Sequence, residues 1–322
     1  VSGAPEAPGA APRLRTAAVL PVRGHLDLLA AVLEGLRQQE TALDEIVVVD
    51  DSPTPVIPPT PGVTVVHSGG AGPYAARNAG VAASAADVVF FLDARSRPTP
   101  GWVGGLLAQF ADPQVGIAGS QTRVLGGESL AARASEVQQF AALDKYLANP
   151  FFLPYLPTCN LAVRRADFDA VGGFSTVRSG GDADLCWRVQ QATGHVLAAD
   201  ERVLLEWVPR TDWRELLEQN FRYGGSHHAL RVRWADRGLR MAEPLPTPRL
   251  VVRSGRAVVR LAAAAPRGRT ALAQQFVAVA GACFDWGYWR AHRRALRAGA
   301  PAAVSSSPVS SPAPAAPAPD RR

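Results

Sequence analysis

The sequence predicts an α/β protein with a mixed, mostly parallel sheet flanked by helices. Three observations point there. Short apolar runs alternate with amphipathic stretches over the first hundred residues. The runs are continuously apolar, as strands covered on both faces are. Polar residues (Arg23, Asp50, Asp51, Asp93) collect where the runs end, the edge at which open α/β sheets bind ligands.

Taken in order, residues 16–22 form the first strand. Residues 26–38 form a helix, because Leu28, Leu29, Val32, Leu33 and Leu36 recur at helical spacing. Strands follow at 46–49 and 63–67, then a glycine loop at 69–72, a helix at 74–84 and a strand at 88–92. Beyond residue 100 the spacing predicts a helix at 102–110, a strand at 115–123 and a helix over 130–147. Pro150, Pro154 and Pro157 then break the chain before a short strand at 159–164. A helix at 167–171 ends on Gly172-Gly173, where glycine caps are expected. Helices are also predicted at 182–193 and over 213–240. Pro244, Pro246 and Pro248 mark a linker to two Arg-bearing helices, 250–265 and 270–296. The expected organisation is a domain at 14–240 and an Arg-rich helical extension at 241–298. The Ala/Pro/Ser tails 1–13 and 299–322 carry no periodicity and are predicted to be disordered.

The chain has 322 residues, 47% hydrophobic and 19% charged, which excludes wholesale disorder. Three cysteines are too few for a disulfide framework or a structural zinc cluster, and the odd count favours a reducing compartment. No run of about 18 apolar residues predicts a membrane span, and the first residues lack the apolar core of a secretory signal. The expected location is the cytoplasm, with at most peripheral contact at the inner face of the membrane. The net charge of +6 is local: residues 14–240 hold 21 Lys and Arg against 24 Asp and Glu, whereas 241–297 hold ten Arg against Glu243 and Asp285. No aromatic-interleaved motif or zinc module accompanies those arginines, so nucleic acid is not an expected partner. They suit a solvated helix face or acidic lipid headgroups. Trp286, Tyr288 and Trp289 read as core or interface residues, and Cys186 as packing.

Four constellations carry chemistry. Asp50-Asp51-Ser52, past a buried strand, offers carboxylates to a base or ribose, or else a capped turn. Gly69-Gly70-Ala71-Gly72 leads into a helix bearing Arg77, where free N–H groups and a guanidinium can meet a phosphate; the alternative is a plain connector. Asp93-Ala94-Arg95-Ser96-Arg97 ends a buried strand with one acid and two arginines. Gly180-Gly181-Asp182-Ala183-Asp184 places two carboxylates at a helix start, where one can serve as a general base or a cap.

In order and spacing, these motifs resemble the inverting family 2 of nucleotide-sugar glycosyltransferases, which have the GT-A (Rossmann-like) fold. The likeness spans roughly residues 16–234 and includes Thr158-Cys-Asn-Leu-Ala-Val-Arg-Arg165 and Val171-Gly-Gly-Phe174. Within the family, Ser179–Arg188 and Tyr223-Gly-Gly-Ser226 are most similar to the mycofactocin-type enzymes. The resemblance implies that Pro21, Asp50 and Asp51 hold the nucleoside and that Arg77 lines the donor pocket. Asp93 then opens the family's Asp-x-Asp motif, Asp182 is the catalytic base, and Asp184 and Arg222 attend the nucleotide sugar. A UDP-hexose donor is the family prior. The acceptor hydroxyl is that of a small metabolite, a peptide-derived cofactor or a cell-envelope glycan.

Two departures qualify the likeness. Arg95 stands where the second acid of Asp-x-Asp is usual, and Glu206-Trp207-Val208-Pro209 lacks the family's histidine. Asp93 is then the one aligned carboxylate for Mn or Mg, too few for a hard cation. No cofactor is named, and Arg95 and Arg97 are expected to neutralise the departing diphosphate instead. Gly181 also stands where an acid commonly precedes the base, which leaves a catalytically inactive sugar-nucleotide-binding accessory protein as the rival reading.

Overall fold

The computed structural model describes residues 13–149 and 152–298. The expected tails lie outside these residues, apart from Arg13. The first half runs β1 (Thr16–Val22), α1 (Leu26–Arg37), β2 (Glu45–Asp50), β3 (Thr64–His67), α2 (Pro73–Ala82), β4 (Val88–Phe91), β5 (Ser96–Pro98), α3 (Trp102–Gln109) and β6 (Val115–Val124). It continues with α4 (Leu130–Gln138), α5 (Asp144–Leu147), β7 (Leu161–Arg164), α6 (Arg165–Ala170), α7 (Gly181–Thr193), β8 (Val196–Trp207), α8 (Trp213–Trp234), α9 (Thr247–Ala264) and α10 (Arg269–Arg297).

Eight strands form one sheet in the order β3-β2-β1-β4-β7-β6-β8-β5. The four on the β3 side are mutually parallel, so their carboxyl ends share one edge; β7 and β5 run antiparallel to their neighbours. Both faces are buried, which is why the runs are continuously apolar. Ala18, Leu20, Val22, Val48, Phe90 and Leu92 pack with α1 and α3 on one face. Val19, Val47, Val49, Val89 and Phe91 pack with α2, α6 and α7 on the other.

One expectation is corrected. The helix expected over 130–147 is broken: α4 ends at Gln138, and Gln139 adopts φ 41°. The Gln139 amide, bonded to both the N–H and the C=O of Val124, holds the chain in that turn and pre-empts helix continuation. Two strands also appear that the apolar runs did not mark. Ser96–Pro98 forms β5 on the twelve-residue β8, and neither strand carries a strong alternating pattern.

The C-terminal helices close on the domain through glycine. A Cβ on Gly224 of α8 would sit 1.9 Å from the Phe284 carbonyl oxygen, and one on Gly287 of α10 would sit 1.8 Å from that of Phe221. The two backbones touch, and only glycine permits it. Phe276 of α10 packs with Leu216 of α8 and with Ala131 and Ala134 of α4. Among the described residues no helix is long and apolar enough to cross a membrane.

Candidate active site

The carboxyl ends of β1, β2 and β4 bring Pro21, Asp50, Asp51 and Asp93 to one sheet edge. Asp50 is buried and accepts N–H bonds from Ser52 (3.0 Å), Val56 (2.6 Å) and Ile57 (3.0 Å). Burial alone would raise its pKa. The Ser52 hydroxyl nearby, not aligned for a hydrogen bond, and those N–H donors outweigh burial and bring it down to about 2. Asp51 accepts from the Ser68 hydroxyl (2.8 Å) and the Gly72 N–H (3.1 Å) and so fixes the glycine loop. Both acids shape the loops at this edge.

That loop positions α2. Tyr74, its second residue, directs its hydroxyl to the Asp182 carboxylate at 3.4 Å, and Arg77 lies one turn further on, 5.5 Å from the Tyr74 ring centroid. Arg77 is buried with Nε unpartnered. Buried guanidinium nitrogens ordinarily find acceptors, so this orphan suits a ligand group that completes it.

Asp182 sits at the head of α7. Its surface is half-buried, yet enough protein surrounds the carboxylate that desolvation governs it. Burial raises its pKa above 3.8; the Ala183 N–H, the Arg77 charge and the Tyr74 hydroxyl only partly oppose this. The same burial, followed by the Asp182 charge, pushes the Tyr74 phenol well above its ordinary value. Burial pushes the Cys159 thiol well above its ordinary value, with smaller contributions from the charges of Asp93, Asp182 and Arg77.

Asp93 accepts the Arg95 N–H (2.8 Å) and the Trp207 indole N–H (3.2 Å to each oxygen). Arg95 reaches across to the carbonyls of Val208 (3.5 Å) and Pro209 (3.1 Å) and lies against Trp207. Burial, then repulsion from Arg210, lowers its pKa. Arg97 does not join it: its Nη1 folds back on the carbonyls of Ala94 and Ser96. From the far wall Arg210 bonds Gln219, which in turn donates to the Tyr223 hydroxyl at 2.7 Å. Arg222 lies against Tyr223 with its Nε buried and unpartnered, and lines a cavity of about 310 Å³ with Gly180, Ser226 and Leu230.

Asp184 is differently placed. It accepts from Ser175 (2.7 Å), Arg188 (2.9 Å) and Trp234 (3.1 Å) and pairs with Arg233 (3.1 Å), tying α7 to α8. Arg188 also donates to the carbonyls of Val171 and Gly173, which explains why the Val-Gly-Gly-Phe phrase belongs with this helix. Asn160 takes the Trp102 indole at 2.8 Å and bonds Ser120 and Thr122, joining β6 to the segment before β7. Tyr74, Trp207, Arg210 and Tyr223 escape sequence reasoning. Trp207 lies in the phrase that lacks the histidine, Tyr74 follows the glycine loop by one residue, and Tyr223 opens the phrase Tyr223-Gly-Gly-Ser226, to which the sequence assigns no role; Arg210 carries no motif.

Asp93 is engaged by two N–H donors, a guanidinium follows it, and no three His, Cys, Asp or Glu side chains converge among the described residues.

A mixed, mostly parallel sheet with its site at the carboxyl edge and a helical C-terminal region is the architecture of GT-A glycosyltransferases. The chain aligns with a mannosyltransferase from Pyrobaculum calidifontis, solved in complex with GDP-Man and Mn2+, with TM-score 0.55 and 18% identity over 85% of this chain and 87% of that one. Residues 17–179 match the glycosyl transferase family 2 model, and the chain belongs to that family. It is 34% identical over 232 residues to the pre-mycofactocin glycosyltransferase of Mycobacterium tuberculosis, in strains CDC 1551 / Oshkosh and ATCC 25618 / H37Rv alike. That match covers 68% of this chain and 48% of each relative, so the chain spans about half the length of the curated relatives it matches.

Proposed function

We propose that the chain transfers a sugar from a nucleoside-diphosphate sugar, UDP-hexose being the family expectation, to an acceptor hydroxyl with inversion. One observation carries this: Asp182, a carboxylate whose pKa burial raises, meets the hydroxyl of Tyr74 on the helix that follows the glycine loop and bears Arg77. Asp182 takes the acceptor proton while the hydroxyl oxygen attacks the anomeric carbon. The bond to the diphosphate breaks on the opposite face and its electron pair leaves with the nucleotide. Pro21, Asp50 and Asp51 define the nucleoside end, the first two through the backbone they shape. Arg77 and Arg222, each with an orphaned Nε, attend the diphosphate and sugar. The cavity beside Gly180 admits the acceptor. Asp184 holds α7 in place and acts at one remove.

The leaving diphosphate needs positive charge. Arg95, with Arg210 near enough to repel it, supplies that charge at the position where the family's second acid is usual. We therefore expect turnover without Mn or Mg. A thermal-shift panel of UDP, GDP and dTDP sugars, each with and without manganese, tests donor and metal together. NMR of the product's anomeric configuration tests inversion. A protein that is stabilised by a sugar nucleotide but never releases diphosphate with any acceptor would instead be an accessory binder.

A further inference from the structure

α9 presents three distinct strips. Leu250, Ser254, Ala257, Leu261 and Ala264 recur at three- and four-residue spacing and form the docked face. Of these, Leu250, Ala257 and Ala264 are buried, and Ser254 receives the Trp286 indole of α10 at 3.0 Å. Next around the helix come Arg249, Arg253, Arg256 and Arg260, which line a groove of about 680 Å³ together with Val252 and with Ala278 of α10. Arg253 pairs with Asp285 at 3.0 Å, whereas Arg249, Arg256 and Arg260 have no acidic partner within 4.0 Å among the described residues. Beyond the arginines lie Val251, Val252, Val258 and Val259, each more than half exposed. Single exposed valines need no explanation, but four on the sector opposite the docked face, with Val252 and Val259 nearest the row of guanidiniums, do.

We propose that α9 is a membrane-contact helix: the arginine row binds phosphate headgroups of anionic phospholipids while the valine stripe enters the adjoining acyl boundary. The helix has 18 residues, about 27 Å of straight contact, and its two outward strips supply the paired requirements of interfacial binding, an apolar face and a cationic flank. Charge complementarity selects this occupant over a second copy of the chain. α9 contains four arginines and no acid, so stripe-to-stripe pairing would gather eight guanidiniums without a carboxylate from either helix. A nucleic acid would satisfy the arginines and leave the valines in water. The inference does not rest on the proposed transfer reaction.

Co-sedimentation of the chain with phosphatidylcholine vesicles, with and without 30% phosphatidylglycerol (about one lipid in three, enough to present a strongly anionic surface), tests it. The expected result is binding to the anionic vesicles only. It should weaken at least about tenfold in Val259→Asp and in the pair Arg256→Glu and Arg260→Glu, with unchanged melting temperatures because all three side chains are exposed. Failure to bind anionic vesicles, equal binding to neutral ones, or binding unaltered in both variants would overturn the proposal. So would a dimer by light scattering that Val259→Asp dissolves in a protein that ignores vesicles.

Discussion

Asp182 and Asp50 are carboxylates a few elements apart that burial and hydrogen bonding drive in opposite directions. Folding raises the pKa of Asp182 above 3.8, so the native state holds this proton more tightly than the unfolded chain. Its contribution is most favourable below 3.8 and declines as pH climbs through the raised native value, so at neutral pH its ionised form weighs against stability. Asp182→Asn is therefore expected to melt at pH 7.5 no lower than the parent protein, by calorimetry. Asp50 works the other way. Its pKa falls from 3.8 to about 2, so its stabilisation is complete above 3.8 and vanishes as pH drops toward 2. That shift corresponds to about 2 kcal/mol at neutral pH. Asp50→Asn should lower urea-unfolding stability by about that amount at pH 7 and by far less near pH 2. The two acids were legible in the sequence as chemistry-bearing. Their opposite pKa directions were not, because these depend on how deeply each is buried and on which N–H groups the folded loops deliver.

At the scale of elements, the chain order of the parallel strands, their terminal acids and the glycine cap after α6 could be read directly, because period and punctuation are local. β8 and β5 could not, since their pairing is settled by β6 and by the turn at Asp93 and not by their own pattern. Arg210 escaped for the same reason: it becomes part of the site only when β8 returns beside β4's end. Replacing Arg95 by Ala should lower kcat by about 10²-fold if guanidinium charge stabilises the leaving group, while EDTA leaves the parent rate unchanged; initial-rate assays read both. The crossing of α8 and α10 gives a purely structural test. Gly224→Ala or Gly287→Ala sets a Cβ into a partner backbone carbonyl, which is expected to cost about 1–3 kcal/mol or more. The loss is measurable by denaturant titration.

Across the whole molecule, charge and function are separated. The near-neutral body carries the proposed transfer site at its sheet edge, and the arginines concentrate on helices that pack outside it. What joins the two is α8, which supplies Tyr223 and Arg222 to the site and Gly224 to the contact with α10. The central claim is that Asp182 takes the acceptor proton in a sugar transfer. The most direct test compares Asp182→Asn with the parent protein, measuring donor affinity by calorimetry and transfer rate with a competent acceptor. Donor affinity within about twofold and a rate reduced by about 10²- to 10⁴-fold is the predicted result; a folded, donor-binding Asp182→Asn protein that transfers sugar at the parent rate would contradict it.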